Sequence, residues 1–283
     1  MYIWSNLGVF RERITCYNKG GRKPAFADMF SYKKRVCVFI DGENMRHAIV
    51  ELFRPPVFNE WDYLPKNADW TKFFDWIANQ AAGADSERVR TYWYVVETLD
   101  CVPYGINAAR KDLINLERLL RWDSETYDIL DVIPTKEDRE KRMLEMATEL
   151  MERDRIMWGR FDGWTYLQNL IAGECNAVEF RRAGSISYNL FKKRLGNEKA
   201  VDVKLATDLI TLKDIYDVAV IVSGDQDYVP AVDVIKDYGK HVVNVSFLKE
   251  DNTLLPGGAK RLNHATDRSL EIKHADLKKH LGL

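Results

Sequence analysis

Short apolar runs alternate with stretches of helical periodicity along most of the chain. Runs rich in β-branched and aromatic residues predict strands at 35–40, 89–96, 177–182, 218–222 and 241–247. Apolar positions at helical spacing predict helices at 44–53, 70–82, 108–121, 201–212 and 229–238. This alternation predicts an α/β fold with a doubly wound, mostly parallel sheet flanked by helices.

The segment 121–176 interrupts the alternation. It predicts a long charged helix at 136–158 and a shorter one at 163–172, which together form a helical insertion or cap on the sheet. We expect three parts in the chain: a basic N-terminal arm at 1–34, an α/β domain at 35–250, and a C-terminal extension at 251–283 that packs on the domain.

Composition and charge narrow the class of protein. With 283 residues, of which 46% are hydrophobic, the chain can build a substantial core, and its net charge of −1 indicates no particular partner. Eight Lys and Arg residues among the first 35 make that arm basic. The four cysteines form no C-x-x-C pair, which argues against zinc and disulfide frameworks. No apolar run approaches the roughly 18 residues of a membrane span and no signal peptide is evident, so we expect a cytoplasmic protein.

Carboxylates follow two of the predicted strands. Asp41 ends the first strand, and Asp225 and Asp227 follow the strand at 218–222. Because the carboxyl ends of parallel strands meet at one edge of the sheet, these acids are expected to converge. On a helical wheel, Asp202 is centred on the apolar stripe of the helix at 201–212. Converging carboxylates are best tolerated around a hard cation such as Mg²⁺, and the pattern therefore indicates metal-assisted chemistry on phosphate.

Each of these acids also has a purely structural interpretation. Asp41 can cap a helix, and Asn44 can cap the same helix or orient Asp41. The Asp-x-Asp at 225–227 can form a capping turn before the helix that starts near Pro230. Asp208 lies on the flank of the apolar stripe, which favours a solvated or supporting acid, and Glu43 is expected in solvent.

Basic residues are concentrated between 177 and 200, interleaved with Tyr188 and Phe191. Such a surface can hold phosphates and stack bases, although a solvated face is the simpler interpretation. The residues expected to contact nucleic-acid phosphates are Arg181, Arg182, Lys192, Lys193 and Lys199. The five histidines show no ligand-like spacing.

Three motifs, taken in order, resemble those of the NYN domains. They are Val-Phe-Ile-Asp-Gly-Glu-Asn at 38–44, Lys-Ala-Val-Asp-Val-Lys-Leu-Ala-Thr-Asp-Leu-Ile at 199–210, and Val-Ser-Gly-Asp-Gln-Asp-Tyr-Val-Pro at 222–230. The NYN domains belong to the PIN-like nuclease superfamily, and this chain looks close to the LabA-like group. The resemblance, over roughly 36–247, implies a PIN-like sheet, a divalent-metal site and RNA cleavage. By motif position it implies metal-binding and catalytic roles for Asp41, Asp202, Asp225 and Asp227, with Asn44 as their polar partner.

The resulting hypothesis is a Mg²⁺- or Mn²⁺-dependent ribonuclease with RNA as its substrate, and the sequence leaves endonucleolytic and exonucleolytic cleavage both open. The alternative is a catalytically silent RNA-binding or regulatory module of the same fold. A phosphatase of the haloacid-dehalogenase type would need Asp-x-Asp on the first strand, where the chain has Asp41-Gly42-Glu43. A Toprim-type enzyme would leave Asp202 unexplained. The helical segment 121–176 could also dock a protein partner or a second copy of the chain.

Overall fold

The computed structural model describes residues 33–53, 64–65, 67–255 and 259–283. Nearly all of the predicted basic arm at 1–34 lies outside these residues. Among the described residues, no helix combines the length and apolarity needed to cross a membrane. The described cysteines, Cys37, Cys101 and Cys175, carry free thiols.

Eight strands of the described chain form a single curled sheet. They are β1 Lys34–Asp41, β2 Ser86–Val102, β3 Val178–Asn189, β4 Arg194–Lys199, β5 Val218–Val222, β6 His241–Leu248, β7 Leu254–Leu255 and β8 Arg268–Lys273. The strand order is β4-β3-β2-β1-β5-β6-β7, with β8 paired to β6. Only the β3–β4 and β6–β7 pairs are antiparallel. The predicted fold class, a mostly parallel sheet flanked by helices, is confirmed.

Ten α-helices occur within the described ranges. They are α1 Gly42–Leu52, α2 Trp70–Ala82, α3 Ile106–Ala109, α4 Leu113–Leu120, α5 Ser124–Asp131, α6 Lys136–Glu174, α7 Val201–Thr211, α8 Val229–Asp237, α9 Ala259–Ala265 and α10 His274–Leu281. Short 3₁₀ turns occupy Lys213–Ile215 and Gln226–Tyr228. The predicted helix 70–82 is confirmed, and its cap Asp69 accepts a hydrogen bond from the Lys72 amide at 2.9 Å.

The two central strands explain why the sequence pattern was informative. Residues 36–40 of β1 and all of β5 are buried, as expected of parallel strands covered by helices on both faces. Their register places Ile40 beside Val222, so that the chain leaves both strands at the same edge of the sheet. The position of the site described below follows from this register.

The helical segment differs from the prediction in two places. The predicted helix at 108–121 is divided into α3 and α4, because Asp112 caps a new helix by accepting from the Ile114 amide at 3.0 Å. Conversely, the two helices predicted at 136–158 and 163–172 are one continuous α6. Gly159 and Gly163 each weaken this helix by about 1 kcal/mol relative to alanine. Burial of Met157, Phe161 and Trp164 on its inner face outweighs that cost.

Candidate active site

A pocket of about 750 Å³ lies at the carboxyl ends of β1 and β5. Five acids from four separate parts of the chain line it: Asp41, Glu43, Glu198, Asp202 and Asp225. Four basic residues line it as well: Arg46, Arg160, Lys193 and Arg194. The structure thus brings together Asp41, Asn44, Asp202 and Asp225 from the predicted site.

Asp41 lies at the base of the pocket and is only 2% exposed. Its carboxylate accepts hydrogen bonds from the Asn44 amide at 3.0 Å and the Ser223 hydroxyl at 2.8 Å, and also from the Asn44 side chain. Burial raises the pKa of Asp41 to about 6; these hydrogen bonds oppose the rise, and the charge of Asp202 adds to it. Asp41 also caps α1, so the structural and the functional interpretations of this residue both fit the geometry.

Tyr228 connects two of the acids. Its hydroxyl lies 2.7 Å from Asp202 Oδ1 and 3.3 Å from Asp41 Oδ2. The ring is fully buried, and burial together with the two carboxylates raises the pKa of this phenol well above its ordinary value. Asp202 lies in the first turn of α7 and is partly buried, as the helical wheel predicted. The sequence prediction did not include Tyr228, although it belongs to the third motif.

The two acids of the Asp-x-Asp turn have different surroundings. Asp225 lines the pocket, its amide donates to the Ser223 hydroxyl at 3.0 Å, and its Oδ1 accepts from the Asp227 amide at 2.9 Å. That second hydrogen bond makes Asp225 the cap of the 3₁₀ turn. Asp227 is exposed and is not among the residues lining the pocket. Asn44 Oδ1 accepts from the Gly224 amide at 3.4 Å, which joins the two strand ends.

Two further acids were not assigned to the site from the sequence. Glu43, expected in solvent, is instead paired with Arg46 and lies 2.9 Å from His47 Nε2. Burial opposes ionisation of Glu43, but the hydrogen bonds from Arg46 and His47 outweigh burial and lower its pKa to about 2. Glu198 shows the opposite effect: burial, with the added charges of Glu43, Asp41 and Asp202, raises its pKa to about 8.

Glycines explain how Glu198 reaches the pocket. It belongs to β4, which runs antiparallel to β3 with Ile186 opposite Glu198. Gly184 has a φ of +63°, and a Cβ there would lie 1.7 Å from the Lys199 carbonyl oxygen. At Gly196 a Cβ would lie 2.3 Å from Ser187 Oγ. Gly184 therefore requires glycine for the close approach of the strands, whereas at Gly196 the Ser187 side chain would have to rotate away. These glycines were the available sequence signal for a hairpin here.

The predicted phosphate contacts are distributed differently. Lys193 lines the pocket, whereas Lys192 and Lys199 are exposed outside it. Arg181 instead pairs with Asp208 and bonds Glu179 at 3.0 Å, so it is held inside the fold. Arg182 donates to the side chains of Gln168 and Asn169 at 3.1 and 2.9 Å.

Asp208 is 4% exposed, so the expectation of a solvated acid was wrong. Burial opposes its ionisation, but hydrogen bonds from Lys204 and Arg181 outweigh burial and lower the pKa of Asp208. Its apparent position on the flank of the helix misled the prediction, because β2 and β3 cover that flank and supply the Tyr94 hydroxyl at 3.1 Å and the Arg181 guanidinium.

The carboxylate side chains that line the pocket are chemically suited to bind a hard divalent cation. All five acids offer oxygen ligands. Burial raises the pKa values of Asp41 and Glu198, neighbouring carboxylates add to the rise, and a bound cation would oppose it. Within the described residues, no three His, Cys, Asp or Glu side chains form a ready-made cage for an ion. Mg²⁺ does not require one, since it usually binds through one or two carboxylates, water and substrate phosphates.

Comparisons with known proteins show a similarity to one protein family over part of the chain. Residues 170–272 match the NYN domain model, a range that contains Glu198, Asp202 and Asp225 but not Asp41. A crystal structure of a protein of unknown function from Vibrio parahaemolyticus is 16% identical, with coverage of 85% of this chain and 94% of that one and a TM-score of 0.39. Curated proteins gave no match. The NYN domain belongs to the PIN-like nuclease superfamily, and the match over residues 170–272 suggests a nuclease-type function.

Proposed function

We propose that the protein is a Mg²⁺- or Mn²⁺-dependent ribonuclease that hydrolyses phosphodiester bonds in the pocket at the ends of β1 and β5. One observation carries the proposal: Asp41, Asp202 and Asp225, which are far apart in sequence, line a single pocket together with Glu198. The nuclease-type function suggested by the NYN match supports it.

Asp41, Asp202 and Asp225 are the residues proposed to hold the cation. A bound ion would lower the pKa of a water molecule and neutralise charge on the scissile phosphate. The protein's own contribution is to fix the carboxylates. Ser223 and Asn44 hold Asp41, and Tyr228 connects Asp41 to Asp202. Such fixed oxygen atoms need little reorganisation when charge develops during the reaction.

A second candidate is an RNA-binding module without activity. It is favoured by the contacts of Asp41, whose Oδ2 already accepts from the hydroxyls of Ser223 and Tyr228 and from the Asn44 side chain. A carboxylate satisfied by protein donors has less need of a metal ion. In this case the pocket would bind RNA through its basic residues and leave it intact.

A cleavage assay distinguishes the ribonuclease from the inactive RNA-binding module. It uses a mixed pool of single-stranded and structured RNA in the presence of Mg²⁺, Mn²⁺ or EDTA. The variants to compare are Asp225→Asn and the matched control Asp227→Asn, which lies two residues away and outside the pocket. Asn preserves the side-chain oxygen that caps the turn. We expect metal-dependent cutting that is lost in Asp225→Asn and kept in Asp227→Asn. RNA binding without cutting in the wild type would support the silent module.

A further inference from the structure

One side of the pocket is basic. We define the basic wall as Arg160 of α6, Lys193 of the β3–β4 turn and Arg194 at the start of β4, all of which line the pocket. Lys193 and Arg194 are exposed and form no ion pair with any described carboxylate. Arg46, the other basic residue of the pocket, belongs to the acid side because it pairs with Glu43.

The turn that carries Lys193 is firmly held. The Leu190 amide donates to the Val102 carbonyl at 2.8 Å. Arg153 of α6 donates to the carbonyls of Leu190 and Phe191 at 3.0 and 3.4 Å. Lys193 itself has a φ of +52°, a left-handed conformation that costs a non-glycine residue roughly 1 kcal/mol. A strained residue fixed by neighbouring contacts at the rim of a pocket is a pattern found at ligand-binding sites.

Arg160 is also positioned by its own helix. Its guanidinium lies 5.8 Å from the centre of the Trp164 ring, and one of its nitrogens is 3.9 Å from the Met157 sulfur. Helix α6 therefore contributes twice to the pocket, through Arg160 directly and through Arg153, which fastens the turn. Arg153 and Arg160 of α6 precede the NYN match at 170–272, whereas Lys193 and Arg194 lie within it, so the basic wall combines residues from inside and outside the matched range.

We propose that the basic wall binds the backbone phosphates next to the scissile one in a single strand of RNA. This inference rests on the proposed function, because it takes the acid side of the pocket as the place of cleavage. Acids and basic residues in one pocket suit a polyanion that is held at several phosphates and cut at one. A volume of about 750 Å³ is that of a small-ligand pocket and has room for a few unpaired nucleotides.

Binding of a fluorescein-labelled single-stranded 12-nucleotide RNA to the full-length protein tests the proposal. Anisotropy is measured in EDTA, without cleavage, from 50 to 200 mM salt. We expect the double variant Lys193→Ala/Arg194→Ala to bind about tenfold or more weakly. The slope of log K against log salt should fall by about 1.4 for two phosphate contacts to a single strand. Lys192→Ala is the matched control from the same turn, outside the pocket, and it should change binding less than threefold.

Arg160 is tested with a second pair of variants, since its removal also affects the packing of Trp164. Arg160→Ala should weaken binding about fivefold, and Arg160→Lys, which retains the charge, should recover most of it. The control on α6 is Arg155→Ala, which removes an exposed arginine that pairs with Glu152. Equal losses in all variants and controls would mean diffuse attraction by surface charge and would overturn the proposal, as would equal weakening for a duplex of the same length.

Cleavage of the same RNA with Mn²⁺ separates the two proposals. Cutting by the wild type, with binding and cutting unchanged in the Lys193→Ala/Arg194→Ala variant, would refute the basic wall and leave the nuclease intact. Binding that depends on the wall without any cutting would refute the nuclease and support the wall as a binding surface. Cutting with a raised KM and an unchanged kcat in the double variant would support both.

Discussion

Glu198 offers the sharpest test of the acid cluster, because its substitution by Gln mimics the protonated form. Burial and the charges of Glu43, Asp41 and Asp202 raise the pKa of Glu198 from its ordinary value of 4.5 to about 8. In the unfolded chain its pKa returns to the ordinary value. An acid whose pKa is higher in the folded protein stabilises the fold below the unfolded pKa, and this stability is lost as the pH rises toward the folded pKa.

The size of the effect follows from the same values. Each pH unit between 4.5 and about 8 removes up to about 1.4 kcal/mol from the free energy of unfolding, or about 5 kcal/mol in all. Because Glu198 is only partly buried, solvent screening reduces this figure, and we expect about 2 kcal/mol between pH 5 and pH 8. Glu198→Gln cannot ionise, so the variant should gain that amount relative to the wild type over this range.

Urea unfolding in EDTA at pH 5, 6.5 and 8 measures the difference in the free energy of unfolding between Glu198→Gln and the wild type. The control is Glu271→Gln, which removes an exposed carboxylate of β8 and should leave the pH dependence unchanged. Free energies of unfolding that run parallel for Glu198→Gln and the wild type between pH 5 and pH 8 would refute the placement of Glu198 among the other acids. A divergence that is equally large for Glu271→Gln would assign the effect to overall charge.

Three further tests probe the packing around the pocket by urea unfolding of the full chain. Tyr228→Phe removes the hydroxyl shared by two pocket acids and should cost about 1–2 kcal/mol; an unchanged stability would contradict those hydrogen bonds. Asp208→Asn removes the buried counter-charge of the half-buried Arg181 and should cost about 2 kcal/mol, whereas a loss below about 0.5 kcal/mol would indicate a solvated pair. Gly184→Ala should lower the free energy of unfolding by about 2 kcal/mol or more. Its control, Gly159→Ala on the exposed side of α6, should raise it by about 0.5–1 kcal/mol. Equal effects of the two substitutions would refute the close approach of β3 and β4.

The part of the site that lies on β1 and β5 was predictable from the sequence. Both strands are short apolar runs, and parallel strands of this kind align their carboxyl ends. Asp41 and the turn at 223–225 had to meet once β1 and β5 were neighbours, which the register of Ile40 with Val222 shows. The helical wheel placed Asp202 at the centre of the buried face of α7. In the structure Asp202 is partly buried and contacts Tyr228, and the buried face is turned toward Asp208.

The part on β4 could not be predicted from hydrophobic pattern. Its sequence, Arg-Leu-Gly-Asn-Glu-Lys, has no apolar alternation, and the strand exists because it pairs with β3. Only Gly184 and Gly196 indicated a close approach of two strands. Two side chains near this strand were therefore misplaced or missed: Arg181, expected to contact phosphates, is held by Asp208, while Glu198, for which no role was predicted, lies in the pocket.

The two sides of the pocket therefore depend on different physical causes. The acid side is set by the ends of β1 and β5 and by α7, elements buried in the centre of the fold. The basic wall is set by contacts from α6, above all those of Arg153 to the carbonyls of the β3–β4 turn. If the basic wall binds RNA as proposed, changes in α6 should alter how tightly the RNA is bound without moving Asp41, Asp202 or Asp225, whereas Glu198 on β4 follows the same turn as the basic wall. Substitutions in α6 and substitutions of Asp41, Asp202 and Asp225 can therefore test the proposed RNA binding and the proposed cleavage independently of one another.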